Sequence, residues 1–220
     1  MRGAIVAWER AIRRDPENAE ARLYLGQVMG SLERWADAER HLREAVRLYA
    51  LRAQGDEASR APLAEARNSL GAALVNAGRP AEAIPLLRAV TEELTYRSPH
   101  LALGNLGQAL LRAGQFPEAV TVLQRAVALQ PNFCVGWARL GEAQLRTDDL
   151  PQALISLDRA ASVEASGCSD IQAVYLHRAK VRVRMRQPEE ARADLARCVE
   201  IAAETPEGRE CAALGRSVAP

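Results

Sequence analysis

Hydrophobic and small residues recur along this chain on a fixed grid. A Leu-Gly pair stands at Leu25-Gly26, Leu70-Gly71, Leu106-Gly107 and Leu140-Gly141. Twelve residues after each Gly comes an alanine (Ala38, Ala83, Ala119, Ala153), and sixteen after it a leucine (Leu42, Leu87, Leu123, Leu157). Nineteen after it comes a small residue: Ala45, Val90, Ala126 and Ala160. A fifth copy keeps the register with Ala179 in the Gly place, then Ala191, Leu195 and Cys198. Turn signals separate the apolar runs, at Ala77-Gly78-Arg79-Pro80, Ala113-Gly114-Gln115-Phe116-Pro117, Asp148-Asp149-Leu150-Pro151 and Gln187-Pro188. Gly closes one helix and Pro opens the next, the asymmetry that helix ends prefer. The grid therefore predicts pairs of antiparallel helices. Gly and Ala are expected where helix backbones come closest, and Leu in the space between successive pairs.

Self-similarity at a fixed period is the signature of a stacked repeat protein. The expected organisation is all-α: a half unit at 1–16 and full units at about 19–50, 64–95, 100–131, 134–165 and 172–204. A capping helix from about Pro206 to Ala213 and a tail follow within 205–220. The Gly places are 45, 36, 34 and 38 residues apart. The 45 implies about eleven extra residues around 51–62, either a tolerated surface insertion or a protrusion that touches a partner. At the front, Ala4, Trp8, Ala11 and Pro16 fit the second helix of a unit whose first helix is missing. Solenoids usually cover such an end with polar residues, so Met1 is expected to be an internal or misassigned start, with a helix and a signal sequence upstream.

Composition narrows the function. Hydrophobic residues make up 48% of the chain and aromatic ones only 4%, so Ala and Leu dominate, as in closely packed helices. The 29 basic and 28 acidic residues nearly cancel, and no global field points to nucleic acid or an anionic membrane. Lys180 is the only lysine. No stretch approaches the ~20 apolar residues of a membrane span, and the apolar run at 4–8 is too short for a signal peptide. As it stands the sequence predicts a cytoplasmic protein. There is no Gly-rich phosphate loop, no His-Glu-x-x-His and no Ser/His/Asp set, so neither enzyme chemistry nor a cofactor is expected.

The four cysteines, Cys134, Cys168, Cys198 and Cys211, fall late in the chain without metal-type spacing. His41, His100 and His177 lie in different repeats, so no Cys-His nucleophile is expected. Free buried thiols and two local disulfides, Cys134–Cys168 and Cys198–Cys211, both fit the pattern.

These features resemble the tetratricopeptide repeat (TPR) family, whose Trp, Leu-Gly, Tyr, Ala, Phe and Pro pattern returns about every 34 residues. The resemblance implies a TPR superhelical solenoid that binds proteins. In that fold the first helix of each pair lines a concave groove, here through Asn68, Asn76, Asn105, Gln108, Arg112, Arg139, Arg146, Lys180 and Arg184. Amides come early and cations late, which suits a peptide with a negative end. A narrower resemblance rests on Glu92-Glu93-Leu94-Thr95-Tyr96-Arg97-Ser98-Pro99, Gly104-Asn105-Leu106-Gly107 and Gln130-Pro131-Asn132-Phe133-Cys134-Val135-Gly136. These segments are similar to the type IV pilus pilotins of the PilF/PilW/Tgl group, especially the Tgl-like branch associated with gliding motility. That likeness implies an outer-membrane lipoprotein on the periplasmic side that assists the secretin PilQ, a setting that favours the disulfides. A cytosolic TPR adaptor or cochaperone is the competing expectation, although the few Asn and single Lys match a carboxylate-clamp grid poorly.

Overall fold

In the structure, a computed structural model that describes residues 2–165 and 167–218, the apolar grid resolves into twelve α-helices among the described residues. Met1, the expected false start, lies outside them, as do the last two residues of the expected tail. The helices are α1 (Arg2–Arg14), α2 (Ala19–Ser31), α3 (Trp35–Arg52), α4 (Arg60–Asn76), α5 (Pro80–Thr91) and α6 (Pro99–Arg112). They continue as α7 (Phe116–Leu129), α8 (Cys134–Arg146), α9 (Leu150–Ser162), α10 (Gln172–Arg184), α11 (Pro188–Ile201) and α12 (Pro206–Ser217). Two compact units divide the chain, Met1–Gly114 and Gln115–Pro220.

The turns inside the pairs share one conformation. Seven residues after each Gly or Ala place, the backbone enters the left-handed region, at Glu33, Gly78, Gly114, Asp148 and Arg186 (φ 58°, 79°, 75°, 67° and 61°). In four of the five pairs the next N–H reaches back into the first helix: Arg34 to the Met29 carbonyl, Arg79 to Leu74, Asp149 to Gln144 and Gln187 to Arg182 (2.8–2.9 Å). This closure satisfies carbonyls that the helix end would otherwise leave open. Gly suits the left-handed position at two of the turns, and Glu, Asp and Arg accept it at the other three.

In the Met1–Gly114 unit the Gly places explain themselves by contact. A Cβ on Gly26 would lie 2.6 Å from Leu42 Cγ, and one on Gly71 2.5 Å from Leu87 Cγ. Gly141 repeats this in the second unit, 2.5 Å from Leu157 Cγ. The leucine sixteen residues on therefore fills the notch of its own pair. The expectation that it would fill the space between successive pairs needs correcting: an antiparallel partner returns past the first helix at that spacing, so the side chain meets the Gly of its own unit. The inserted residues lengthen α3 to 18 and α4 to 17 residues and add a 3₁₀ turn at Glu57–Ser59. Asp56 caps that turn, accepting from the Ala58 N–H (3.0 Å) and the Ser59 hydroxyl (2.8 Å). At the front, Trp8 of α1 stacks on Tyr24 of α2 with ring centroids 5.6 Å apart.

The Gln115–Pro220 unit carries two disulfides. Cys134–Cys168 (Cα–Cα 5.8 Å) ties the start of α8 to the loop before α10, over an apolar patch of Val163, Trp137 and Ile171. Cys198–Cys211 (6.2 Å) ties α11 to α12. The Gln172 amide donates to the Cys198 and Ala202 carbonyls (2.6 and 2.7 Å), and the Thr205 hydroxyl donates to its oxygen (2.6 Å). Helix α12 runs four residues past the expected Ala213 end. Leu214, three residues beyond Cys211, packs on the cluster of Leu176, Ala179 and Leu195 and rewards another turn of helix.

Candidate binding surface

Each unit presents its own polar surface on the first helices of its pairs. In the Met1–Gly114 unit the early amides do not all face solvent. Asn68 is buried, with 6% of its surface exposed; its Nδ2 donates to the Tyr96 hydroxyl (3.0 Å) and its Oδ1 accepts from Asn105 (3.1 Å). Its assignment to an open groove is corrected. A buried amide must fill its hydrogen-bonding capacity, and the Tyr96 loop provides the partner. Asn105 is half-buried as the donor in that chain, and Gln108 is half-buried on the next turn of α6. Asn76 and Arg112 are exposed at the ends of α4 and α6. Asn76 borders a small cleft of about 230 Å³ with Gln27, Ser69 and Trp35.

Tyr96 is itself buried, and burial first, then the charge and hydrogen bond of Glu65, push its hydroxyl well above the ordinary phenol range. Glu65 in turn accepts from the Gln27 amide (2.9 Å), which also reaches Ser69 (3.0 Å). Two short polar links thus stand side by side, Asn105 through Asn68 to Tyr96 between α6, α4 and the loop before α6, and Gln27 to Glu65 between α2 and α4. A larger cleft of about 590 Å³ opens beside them, with Glu20, Tyr24, Tyr49, Glu65, Tyr96 and Arg97 in its walls. The groove assignment missed this cleft. The signal for it was present in the first two of the three places where the repeat spacing stretches.

In the Gln115–Pro220 unit the later cations lie on α8 and α10. Arg139 is half-buried in α8, and desolvation lowers its guanidinium to about 10 against the opposing pull of Glu142. Two turns on, Arg146 is exposed and lies over the Phe116 ring, 4.7 Å from its centroid. From α10, Lys180 pairs with Glu210 of α12 at 2.7 Å, and Arg184 pairs with Asp148. His177 lies among them. Its pKa is lowered chiefly by burial, with Lys180 and Arg146 acting in the same sense and Glu142 and Glu210 against it. Arg146 and Lys180 thus both bear on His177 beside Glu142 and Glu210, while Arg184 is engaged by Asp148 and Arg139 lies near Glu142. A second ionic knot is structural: Asp194, 3% exposed, accepts from Arg178 (2.5–3.0 Å) and Arg182 (2.8 Å).

Comparison with known families places this architecture. The tetratricopeptide repeat model matches residues 2–53, 30–98, 68–132 and 105–167, which together cover well over half of the chain. The chain belongs to the tetratricopeptide repeat family. Its fold is accordingly an all-α TPR solenoid of antiparallel helix pairs, a scaffold class that binds protein partners. No curated protein matches the sequence. Among solved structures it is similar to PilW, described as a widely conserved type IV pilus biogenesis factor. The two share 22% identity and a TM-score of 0.76, over 95% of this chain and 89% of that one. It is also similar to YrrB, described as a TPR protein with an unusual peptide-binding site (17%, TM-score 0.61, 94% and 98%). A thermophilic TPR protein of Thermus thermophilus, TTC0263, is a third (18%, 0.66, 91% and 98%). Among the described residues no TPR helix is long and apolar enough to cross a membrane.

Proposed function

We propose that this chain is a pilotin-like factor, a non-catalytic scaffold that assists a type IV pilus secretin such as PilQ to assemble or localise in the outer membrane. Its place is the periplasmic side of that membrane, and its repeats follow the boundaries given above. The observation that carries the reading is the likeness to PilW, whose TM-score of 0.76 stands above the 0.61 and 0.66 of the generic TPR structures YrrB and TTC0263, which cover the chain as fully. Two disulfides support it, because such bonds persist in oxidising compartments and are rare in the cytosol, which speaks against the adaptor reading. The partner contact is assigned to the cations Arg139, Arg146, Lys180 and Arg184 of α8 and α10, where guanidinium groups can pair with carboxylates of an extended segment.

The test is direct. Purified secretin from the same genome, immobilised for biolayer interferometry, should capture the wild-type chain. It should capture the Arg146→Ala, Lys180→Ala variant at least tenfold more weakly, while the helical circular-dichroism signal stays the same. Deleting the gene should reduce secretin multimers in outer-membrane fractions. Full multimer levels in the deletion strain would sink the pilotin reading, and unaltered capture of the variant would sink the surface assignment.

A further inference from the structure

Of the three departures from the 34-residue spacing, the two that fall in the Met1–Gly114 unit meet at one place. Ala58, Ala61 and Pro62, brought by the eleven-residue insertion, and Tyr96, Arg97 and Ser98, brought by the two-residue expansion, line the same cleft of about 590 Å³ in the Met1–Gly114 unit. Three of the four tyrosines in the chain, Tyr24, Tyr49 and Tyr96, share its walls with Glu20 and Glu65. Surface insertions in a repeat protein are tolerated wherever they fall, so two that line one aromatic cleft call for an account.

The cleft is organised before any partner arrives. Tyr96 is anchored by Asn68, itself bonded by Asn105, and Glu65 accepts from Gln27. Its carboxylate is therefore held in place with acceptor capacity left over. Glu20 stands exposed in the first turn of α2, and Tyr24 is 41% exposed beside it. Aromatic faces attract cations electrostatically, and carboxylates pair with guanidinium or ammonium groups at hydrogen-bond distance. The charge in the walls is two carboxylates against one guanidinium, that of Arg97, which is exposed.

We propose that this cleft is a binding site for a cationic side chain, an arginine or lysine presented by a protein partner. The exposed Tyr24 ring receives the alkyl stem and the charge, and Glu65 and Glu20 take its N–H donors. The site is separate from the cations of α8 and α10 and would stand if the secretin assignment fell.

A fluorescein-labelled octapeptide of alternating Gly and Arg, titrated against the full chain by anisotropy, tests this, with the Gly-Glu octapeptide as its counterpart. The Arg peptide should bind and the Glu peptide should not. The Glu20→Gln, Glu65→Gln variant should weaken binding at least tenfold, and Tyr24→Leu several-fold. Arg97→Ala, which removes the competing charge, should tighten it. A Glu200→Gln, Glu204→Gln variant carries the same charge change elsewhere and should leave it within twofold. Equal losses in both double variants would mean that the peptide reads net charge only, and would overturn the proposal. So would binding of the Glu peptide that Arg97→Ala abolishes, because the cleft would then recognise an anion.

Discussion

A Cβ built on Gly71 falls 2.5 Å from Leu87 Cγ and 2.6 Å from its Cδ2, and Leu87 is fully buried. Two effects compete when alanine replaces this glycine. Helix propensity favours Ala by about 1 kcal/mol, while forcing a methyl group into a packed notch costs about 1–3 kcal/mol. The clash is with the branch point of the leucine, which cannot swing away without moving its whole side chain, so overpacking wins. Gly71→Ala is expected to lower stability by about 1 kcal/mol, seen as a lower urea midpoint with an unchanged slope. A midpoint at or above wild type would show that the notch relaxes freely. The same position was legible in the sequence as the Leu-Gly pair, because only a close approach selects Gly inside four helices. Asn68 was not legible. Its register position is that of a groove residue, and only the Tyr96 loop, which packs over it from 28 residues away, turns it inward.

Helices as whole elements followed from local rules. Gly78 and Gly114 stop them, Pro80, Pro99, Pro188 and Pro206 stand at the start of the next, and Asn18 and Thr205 cap with side-chain oxygens. What those rules could not show is how charges gather once α8, α10 and α12 lie side by side, since the residues come from positions 139 to 210. His177 is the sensitive member of that group. Its pKa in the fold is lowered, mainly by burial, whereas the unfolded chain takes up the proton near 6.5. Below that pH the unfolded state binds more protons than the native one, so the stability is complete above about pH 6.5 and is lost as pH falls through the lower native value. His41 and His100 are shifted in the same direction by burial, so the whole chain should weaken on mild acidification. Urea titrations at pH 7.5 and 5.0 should show a smaller acid loss for His177→Asn than for wild type. An identical loss would mean that His177 does not report this environment.

At the scale of the molecule, the repeat grid did not disclose that the chain divides at Gly114 into two compact units, because a pattern of near-equal spacing has no boundary in it. The cysteines do distinguish the units: all four lie in Gln115–Pro220 and none in Met1–Gly114. The two bonds close segments of 34 and 13 residues. Chain entropy alone assigns them about 3.8 and about 2.9 kcal/mol against the unfolded state, a large share of the roughly 5–15 kcal/mol that holds a typical protein folded. Reduction should therefore act on one unit. Under dithiothreitol, hydrogen exchange should accelerate in α8 and in α10 to α12, while the amides of α2 to α5 keep their protection. The Cys134→Ser, Cys168→Ser, Cys198→Ser, Cys211→Ser variant should reproduce this without reductant, which separates loss of the bonds from any effect of the reagent. Uniform acceleration across both units would show that they unfold as one cooperative body, and unchanged exchange throughout would show that the bonds add nothing to the native state.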